Sequence, residues 1–315
     1  MHNPPSCRDA QGPRGGRRVV IGPQSATAST TIEARVSAAR HRLVAAGIDE
    51  REVALDAEVL ARHALGWGRA RYLSRTRDPV PPAFDERFDP LVERRCRREP
   101  VAHITGSREF WGLDIAVTRD VLIPRPESEL LVETAVALLL DRAAPWDVAD
   151  VGTGSGCLAV ALARELRRAR VTATDISPTA LAVAQRNAMR HGVASQISFH
   201  STRGLDGLPG PYDLIVSNPP YVPEPEMARL APEVARYEPA SALCGGPDGL
   251  DPARELVPAA VARLRSGAWL VMEIGAGQDA AVTEVVTCQP ELTLVEIRKD
   301  LRGIPRAAVI RRGDA

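Results

Sequence analysis

The sequence predicts an α/β protein: a mostly parallel sheet with helices on both faces and an antiparallel C-terminal hairpin, preceded by a small N-terminal helical domain. Three observations predict it. From Asp147 onward, short apolar runs of strand length alternate with segments of helical periodicity, the order that builds a parallel sheet. A glycine-rich turn, Asp150-Val151-Gly152-Thr153-Gly154-Ser155-Gly156, joins the first of those strands to its helix. Ahead of Pro100 the apolar residues recur three and four apart, as helices require.

The elements follow in order. Residues 1–28, rich in Pro, Gly, Ser and Arg, are expected to be a disordered tail. A helical domain occupies 29–104. Thr30 and Glu33 make a capping box for a helix with the stripe Ile32, Val36, Ala39, Leu43 and Val44, ended by Gly47. A second helix opens at Asp49 and Glu52 and closes at Gly66; a third covers 69–74, and a fourth runs from 84 to 98, stopped by Pro100. Residues 105–123 form a linking hairpin that turns near Gly112. The larger domain is 124–315. Pro126 suits the first turn of a helix reaching Leu139, and Glu127 and Glu129 suit its positive end. Strands are expected at 147–151, 171–174, 197–200, 212–216 and 268–274. Helices are expected at 158–166, 178–189, 252–264 and 279–286, and a closing hairpin at 292–297 and 307–311. Residues 222–250 are a long Pro- and Gly-rich connection, of a length that is usually functional or disordered.

Composition narrows the class. The 315 residues leave room for a large core and two domains. A hydrophobic content of 44% and a charged content of 25% are those of a soluble globular protein. Forty basic residues balance forty acidic ones, so no whole-molecule field favours nucleic acid or an anionic membrane. Lys299 is the only lysine, a skew that discounts local arginine clusters as functional signals. Cys7, Cys96, Cys157, Cys244 and Cys288 are scattered and odd in number, without C-x-x-C spacing, which argues against a disulfide framework or a metal site. No apolar run reaches bilayer length and the N-terminus has no apolar signal core. The expectation is a cytoplasmic protein with reduced thiols, no metal and no membrane partner.

Two loops carry the chemistry. At the end of the fourth strand stands Asn218-Pro219-Pro220-Tyr221. Two prolines fix φ and remove two backbone donors, and Pro219 pushes Asn218 into an extended conformation. Such an edge accepts both hydrogens of a planar –NH2 group, through the Asn218 side-chain oxygen and the Pro219 carbonyl. The Tyr221 ring covers the flat face of the same group. The glycine loop turns sharply and admits a ligand without interference from Cβ. Ligands of such sheets lie beyond the carboxyl ends of the strands. Asp175 ends the second strand about 20 residues after the loop, the separation of an acid that binds ribose hydroxyls. G-x-G-x-G spacing differs from the dinucleotide fingerprint, so NAD(P) is the weaker choice. A nucleoside-bearing cofactor beside an amine holder is the reading.

The glycine loop, Asp175 and the Asn-Pro-Pro-Tyr tetrapeptide resemble those of class I methyltransferases that use S-adenosylmethionine on planar amino groups. More specific are Glu99-Pro100, Gly106-Ser107-Arg108-Glu109-Phe110-Trp111, Ile123-Pro124-Arg125-Pro126-Glu127-Ser128-Glu129 and Glu238-Pro239. With Gly245-Gly246-Pro247-Asp248-Gly249-Leu250 and Lys299-Asp300-Leu301, they resemble the peptide-chain release factor glutamine methyltransferase family of HemK type, from about residue 31 to the C-terminus. The resemblance implies a Rossmann-like class I methyltransferase sheet. It implies methyl transfer from S-adenosylmethionine to the side-chain amide nitrogen of the glutamine in the Gly-Gly-Gln loop of class-1 release factors. Gly152, Thr153, Gly154, Ser155 and Gly156 would wrap the methionine part of the cofactor, Asp175 would bind its ribose, and Asn218 would stand between cofactor and substrate. Asn218, Pro219 and Tyr221 would act on the glutamine, with Pro220, Arg125 and Glu129 on the substrate side and the helical domain recognising the factor. Thr202 and Arg203 occupy the places near the adenine where the family often has an acid and then an aromatic residue. Helix capping explains Glu127 and Glu129 equally well. Three other readings stay open: a ribosomal-protein glutamine, an adenine or guanine amino group of nucleic acid, and a nucleoside-binding scaffold without catalysis. Zero net charge and the absence of a DNA-reading module speak against nucleic acid.

Overall fold

The computed structural model describes residues 30–208 and 210–314 of the chain. The expected tail lies outside the described residues.

Among the described residues five helices come first: α1 (Ile32–Ala45), α2 (Glu50–Leu65), α3 (Arg69–Ser74), α4 (Phe84–Cys96) and α5 (Val101–Thr105). Their apolar stripes close on one core that includes Ile32, Leu43, Leu60, Phe84 and Phe88, the two phenylalanine rings stacked 4.8 Å apart. The cap of α1 sits one residue later than expected. Thr31, not Thr30, accepts the Ala34 N–H, because the Thr30 carbonyl is taken by the Val80 N–H in a bridge that pairs Thr31 with Pro79 just ahead of the helix. Glu33 closes no capping box; its N–H donates to the Thr76 carbonyl. Val44 is 41% exposed and lies off the stripe. Helix α4 stops at Cys96, and Pro100 opens α5, a helix not anticipated because a proline that ends one helix also suits the start of the next.

β1 (Ser107–Phe110) and β2 (Leu113–Ala116) pair antiparallel through Trp111 and Gly112, both at positive φ, as a two-residue hairpin turn demands. The buried Asn187 accepts the Ala116 N–H and donates to the Ala116 carbonyl, tying this hairpin to the larger unit.

That unit runs α6 (Glu129–Leu138), β3 (Asp147–Val151), α7 (Cys157–Glu165), β4 (Arg170–Asp175), α8 (Pro178–Arg190), β5 (Ile197–Ser201), β6 (Tyr212–Ser217), α9 (Pro232–Tyr237), α10 (Asp251–Arg263), β7 (Leu264–Glu273), α11 (Asp279–Thr287), β8 (Leu292–Lys299) and β9 (Pro305–Arg312). Strand order is β5-β4-β3-β6-β7-β9-β8, parallel as far as β7, with β9 antiparallel to both neighbours. Along β6, Leu214 and Val216 enter the layer shared with Leu131 and Leu162, while Ile215 between them enters the layer shared with Val257 and Val282. Period-two alternation thus buries both faces, which is why the strand reads as a continuous apolar run.

The connection 222–250 carries α9 and 3₁₀ turns at Glu224–Arg229 and Ala240–Ala242. Val222 bridges Cys244, and Glu233 bonds Arg95 and Arg98 of the helical region, so this segment is closed on itself and tied at its middle to the helices. Among the described residues no helix is long and apolar enough to cross a membrane.

Candidate active site

β3 leads to β4 on one side, and the chain later returns as β6 on the other side of β3. That reversal opens a crevice beyond the strand ends. A cavity of about 640 Å³ occupies it, within the size range of small-molecule sites. Gly152 and Gly154 line it from the loop after β3, Asp175 from the end of β4, and Asn218, Pro219 and Pro220 from the end of β6. The Ser217 hydroxyl donates to the Val151 carbonyl at 2.8 Å, so the two functional loops are fastened to each other.

The glycines fall into two kinds. Gly152 and Gly154 both have positive φ; a Cβ on Gly152 would meet nothing within 4 Å and one on Gly154 only the Gly152 carbonyl. Their bareness keeps ligand space free. Gly156, expected to wrap the cofactor with the others, is not among the residues that line the cavity. A Cβ there would stand 2.9 Å from the Ala184 Cβ, so the bare glycine lets α7 approach α8.

Beneath the loop, Asp150 accepts the Thr153 hydroxyl at 2.6 Å and the Ala159 N–H at 3.1 Å, while its Oδ1 has no partner. Burial pushes its carboxyl up to about 6. Thr153 and Ser155 line the cavity above it, and the Ser155 hydroxyl is also buried without a partner. An unsatisfied hydroxyl at the cavity wall suits a polar ligand. Asp175 accepts the Gly154 N–H through Oδ2 and the Ser177 N–H through Oδ1, each at 2.9 Å. Each oxygen keeps further acceptor capacity for a diol. Thr202 and Arg203 line the same cavity. The Thr202 hydroxyl donates to the Asp206 carbonyl, and Glu255 holds the Arg203 guanidinium in a two-point pair at 2.9 and 2.5 Å. These features fit a ligand with a ribose and a cationic amino-acid part, as S-adenosylmethionine has.

On the other wall, Asn218 Nδ2 donates to the Ser128 hydroxyl at 2.9 Å, and Ser128 donates to Glu273 Oε2 at 2.6 Å. The Tyr221 hydroxyl donates to the other Glu273 oxygen at 3.3 Å. Burial pushes the Glu273 carboxyl up to about 7 against the pull of those two hydroxyls. Burial and then the Glu273 charge push the Tyr221 phenol well above its ordinary range. Tyr221 is not among the cavity-lining residues; its ring edge lies against Gly275 and its carbonyl accepts from Gln278 Nε2. The ring thus packs beside Gly275 with its hydroxyl on Glu273, and no cavity-lining contact supports the expected cover over an amine. Gly245 and Gly249 let the 245–251 segment pass this tetrapeptide, since a Cβ on Gly245 would come within 2.7 Å of the Pro220 carbonyl and one on Gly249 within 2.3 Å of the Tyr221 carbonyl.

Arg125 reaches the cavity and pairs with the buried Glu238 at 2.5 Å; Glu238 also accepts the Ile123 N–H. Glu129 does not reach it. Its Oε1 accepts the Trp111 N–H at 2.8 Å and secures the hairpin turn, a structural role in place of any cavity contact. Ser128 and Glu273 are the site residues missed from sequence. For Glu273 a signal existed: a charged residue at the end of an otherwise apolar buried strand is rare without a partner. For Ser128 none did, beyond its place in the Ile123–Glu129 run.

Residues 36–106 match the PrmC N-terminal domain and residues 127–233 the methyltransferase small domain. A release factor glutamine methyltransferase of Cereibacter sphaeroides is 46% identical over 270 residues, covering 85% of this chain and 94% of that protein. Another, of Koribacter versatilis, is 42% identical over 260 residues, covering 82% and 91%. Among solved structures, the hMettl16 catalytic domain in complex with MAT2A 3′UTR hairpin 6 superposes with a TM-score of 0.53 at 21% identity, covering 67% of this chain and 80% of that one, a likeness of fold. With these relatives matched along nearly their whole length and the nucleoside-sized cavity in place, the chain belongs to the release factor glutamine methyltransferase family, which takes its methyl group from S-adenosylmethionine.

Proposed function

We propose that this protein methylates the side-chain amide nitrogen of the glutamine in the Gly-Gly-Gln loop of class-1 release factors, in the cytoplasm, with residues 29–104 as the domain that recognises the factor. One observation carries the reading: Asn218, whose amide is tied from behind, shares a single cavity with Gly154 and Asp175.

S-adenosylmethionine, when bound, supplies a methyl carbon on a cationic sulfur. An amide nitrogen is a weak nucleophile because its lone pair is delocalised into the carbonyl. Asn218 Oδ1 and the Pro219 carbonyl accept the two amide hydrogens and set the nitrogen's orientation, the main task left to the protein. The same two oxygens stabilise positive charge as it develops on nitrogen. Their frame is rigid, with two prolines and a buried brace, so little reorganisation accompanies the reaction. No general base is required beforehand, since the product nitrogen sheds its proton afterwards. Pro220 and Arg125, which line the same cavity, are assigned to the substrate, and the link from the strap 222–250 to the helical region supports that region's part in recognition.

The test supplies S-adenosylmethionine and, in separate reactions, purified release factor, ribosomal proteins, ribosomal RNA and DNA. Mass spectrometry is expected to find one methyl on the Gly-Gly-Gln glutamine. An unmodified factor beside a methylated ribosomal protein or nucleic acid overturns the assignment.

A further inference from the structure

Ser128 stands just before α6, while Glu273 ends β7, and both are 2% exposed. Between them they fix a direction. A serine hydroxyl has one hydrogen. The 2.6 Å contact to Glu273 Oε2 commits that hydrogen to the carboxylate, so the Ser128 oxygen is left to accept. It accepts from Asn218 at 2.9 Å, which requires the –NH2 end of the Asn218 amide to face Ser128 and the carbonyl end to face away. An asparagine amide has two nearly isosteric ends, and a reversed Asn218 would present donors to a substrate that is itself a donor. The Glu273 carboxylate is braced in turn by the Tyr221 hydroxyl at 3.3 Å.

We propose that Ser128 and Glu273 are positioning residues that polarise the Asn218 amide, so that its oxygen and not its nitrogen meets the substrate –NH2 group. This inference rests on the glutamine-methylating reading of the site. It adds that the specificity for a donor group is set two hydrogen bonds behind Asn218. The groups facing Glu273 are Ser128 and Glu127 before α6, the Tyr221 hydroxyl after β6, Cys157 at the start of α7 and Arg306 on β9. The chain runs in the productive direction when Glu273 is ionised. A protonated Glu273 donates instead, frees the Ser128 hydrogen for Asn218, and lets the amide turn over.

The experiment uses the full-length protein with asparagine side chains labelled by ¹⁵N, and the variants Ser128→Ala, Ser128→Thr and Glu273→Gln. In the free wild-type protein the Asn218 Nδ2 signals, assigned by their loss in Asn218→Ala, are expected to be shifted and slow to exchange. They collapse to free-amide positions in Ser128→Ala and return in Ser128→Thr, which keeps the hydroxyl. With release factor as acceptor, kcat falls roughly ten- to a hundredfold in Ser128→Ala while KM and cofactor Kd move less than about threefold, the size expected when a reacting partner is misplaced. In Glu273→Gln the drop of kcat on acidification below about pH 7 disappears. Asn218 signals identical in wild type and Ser128→Ala, or a wild-type acidic limb retained in Glu273→Gln, overturn the inference. A wild-type protein inactive on release factor but with the predicted Asn218 signals overturns the substrate assignment alone.

Discussion

The Arg95 guanidinium, 3% exposed, donates to the Glu233 carboxylate at 2.8 Å and so binds the helical region to the segment that follows the Asn-Pro-Pro-Tyr turn. Asp56 takes a second nitrogen of the same guanidinium at 2.7 Å, and Arg98 adds a further bond to Glu233 at 2.8 Å. Removing one member of a buried charge set leaves its partner uncompensated. Because Arg95 keeps Asp56, Glu233→Ala is expected to cost about 2 kcal/mol, below the full penalty for an isolated broken pair. Hydrogen exchange should quicken across 224–238 and leave the strands unaltered. Exchange that stays slow in that segment rules out the strap.

Asn218 and Asp175 separate chemistry from cofactor binding. Loss of one preorganised oxygen at the reacting centre costs roughly a hundred- to a thousandfold in turnover. Asn218→Ala should show that loss with cofactor affinity within a few fold. Asp175→Ala should instead weaken cofactor binding by about 1.5–3 kcal/mol in calorimetry, the worth of hydrogen bonds to a charged group. Near-normal turnover in the first variant, or unaltered affinity in the second, contradicts the assignment of that residue.

Alanine at two glycines of one loop should give opposite phenotypes. Gly156→Ala drives a Cβ to within 2.9 Å of Ala184 and keeps φ at +78°, so both overpacking and backbone strain apply. A stability loss of about 2–4 kcal/mol follows from their sum. Gly154→Ala meets no close atom and should lose only about 1 kcal/mol to strain. Its methyl group occupies ligand space, and cofactor affinity is what falls. Urea titrations paired with calorimetry distinguish the two; equal stability losses would refute the contrast.

Glu273 has a cost in stability whose sign depends on pH. Its carboxyl has an ordinary value of 4.5 and is pushed up to about 7 in the folded protein by burial. Between those values the folded chain retains the proton that the unfolded chain releases, so this residue's contribution falls as pH rises through the window and stays low above it. Glu273→Gln carries no titrating group there. Its stability relative to wild type should rise from pH 4.5 to pH 7 by up to about 3 kcal/mol. A difference between the two proteins that is constant across pH removes the raised carboxyl. A gain in stability with a loss in turnover is the trade expected of a strained site.

Much of this protein is legible residue by residue. Apolar period places the helices and strands, positive-φ glycines mark the loop after β3, and paired prolines stiffen the turn after β6, because each rule acts within a few residues. Where the reading missed, a distant partner had decided. Thr31 replaces Thr30 as a cap because Val80 claims the Thr30 carbonyl, and Glu129 turns to the hairpin because Trp111 offers an N–H. Gly156 answers to Ala184 on another helix. The bonds that aim Asn218 join residues 90 and 145 positions apart, and only the strand order of the folded sheet brings them within 3 Å. Local chemistry determined which elements and loops exist; hydrogen bonding between strand ends determined what their side chains face.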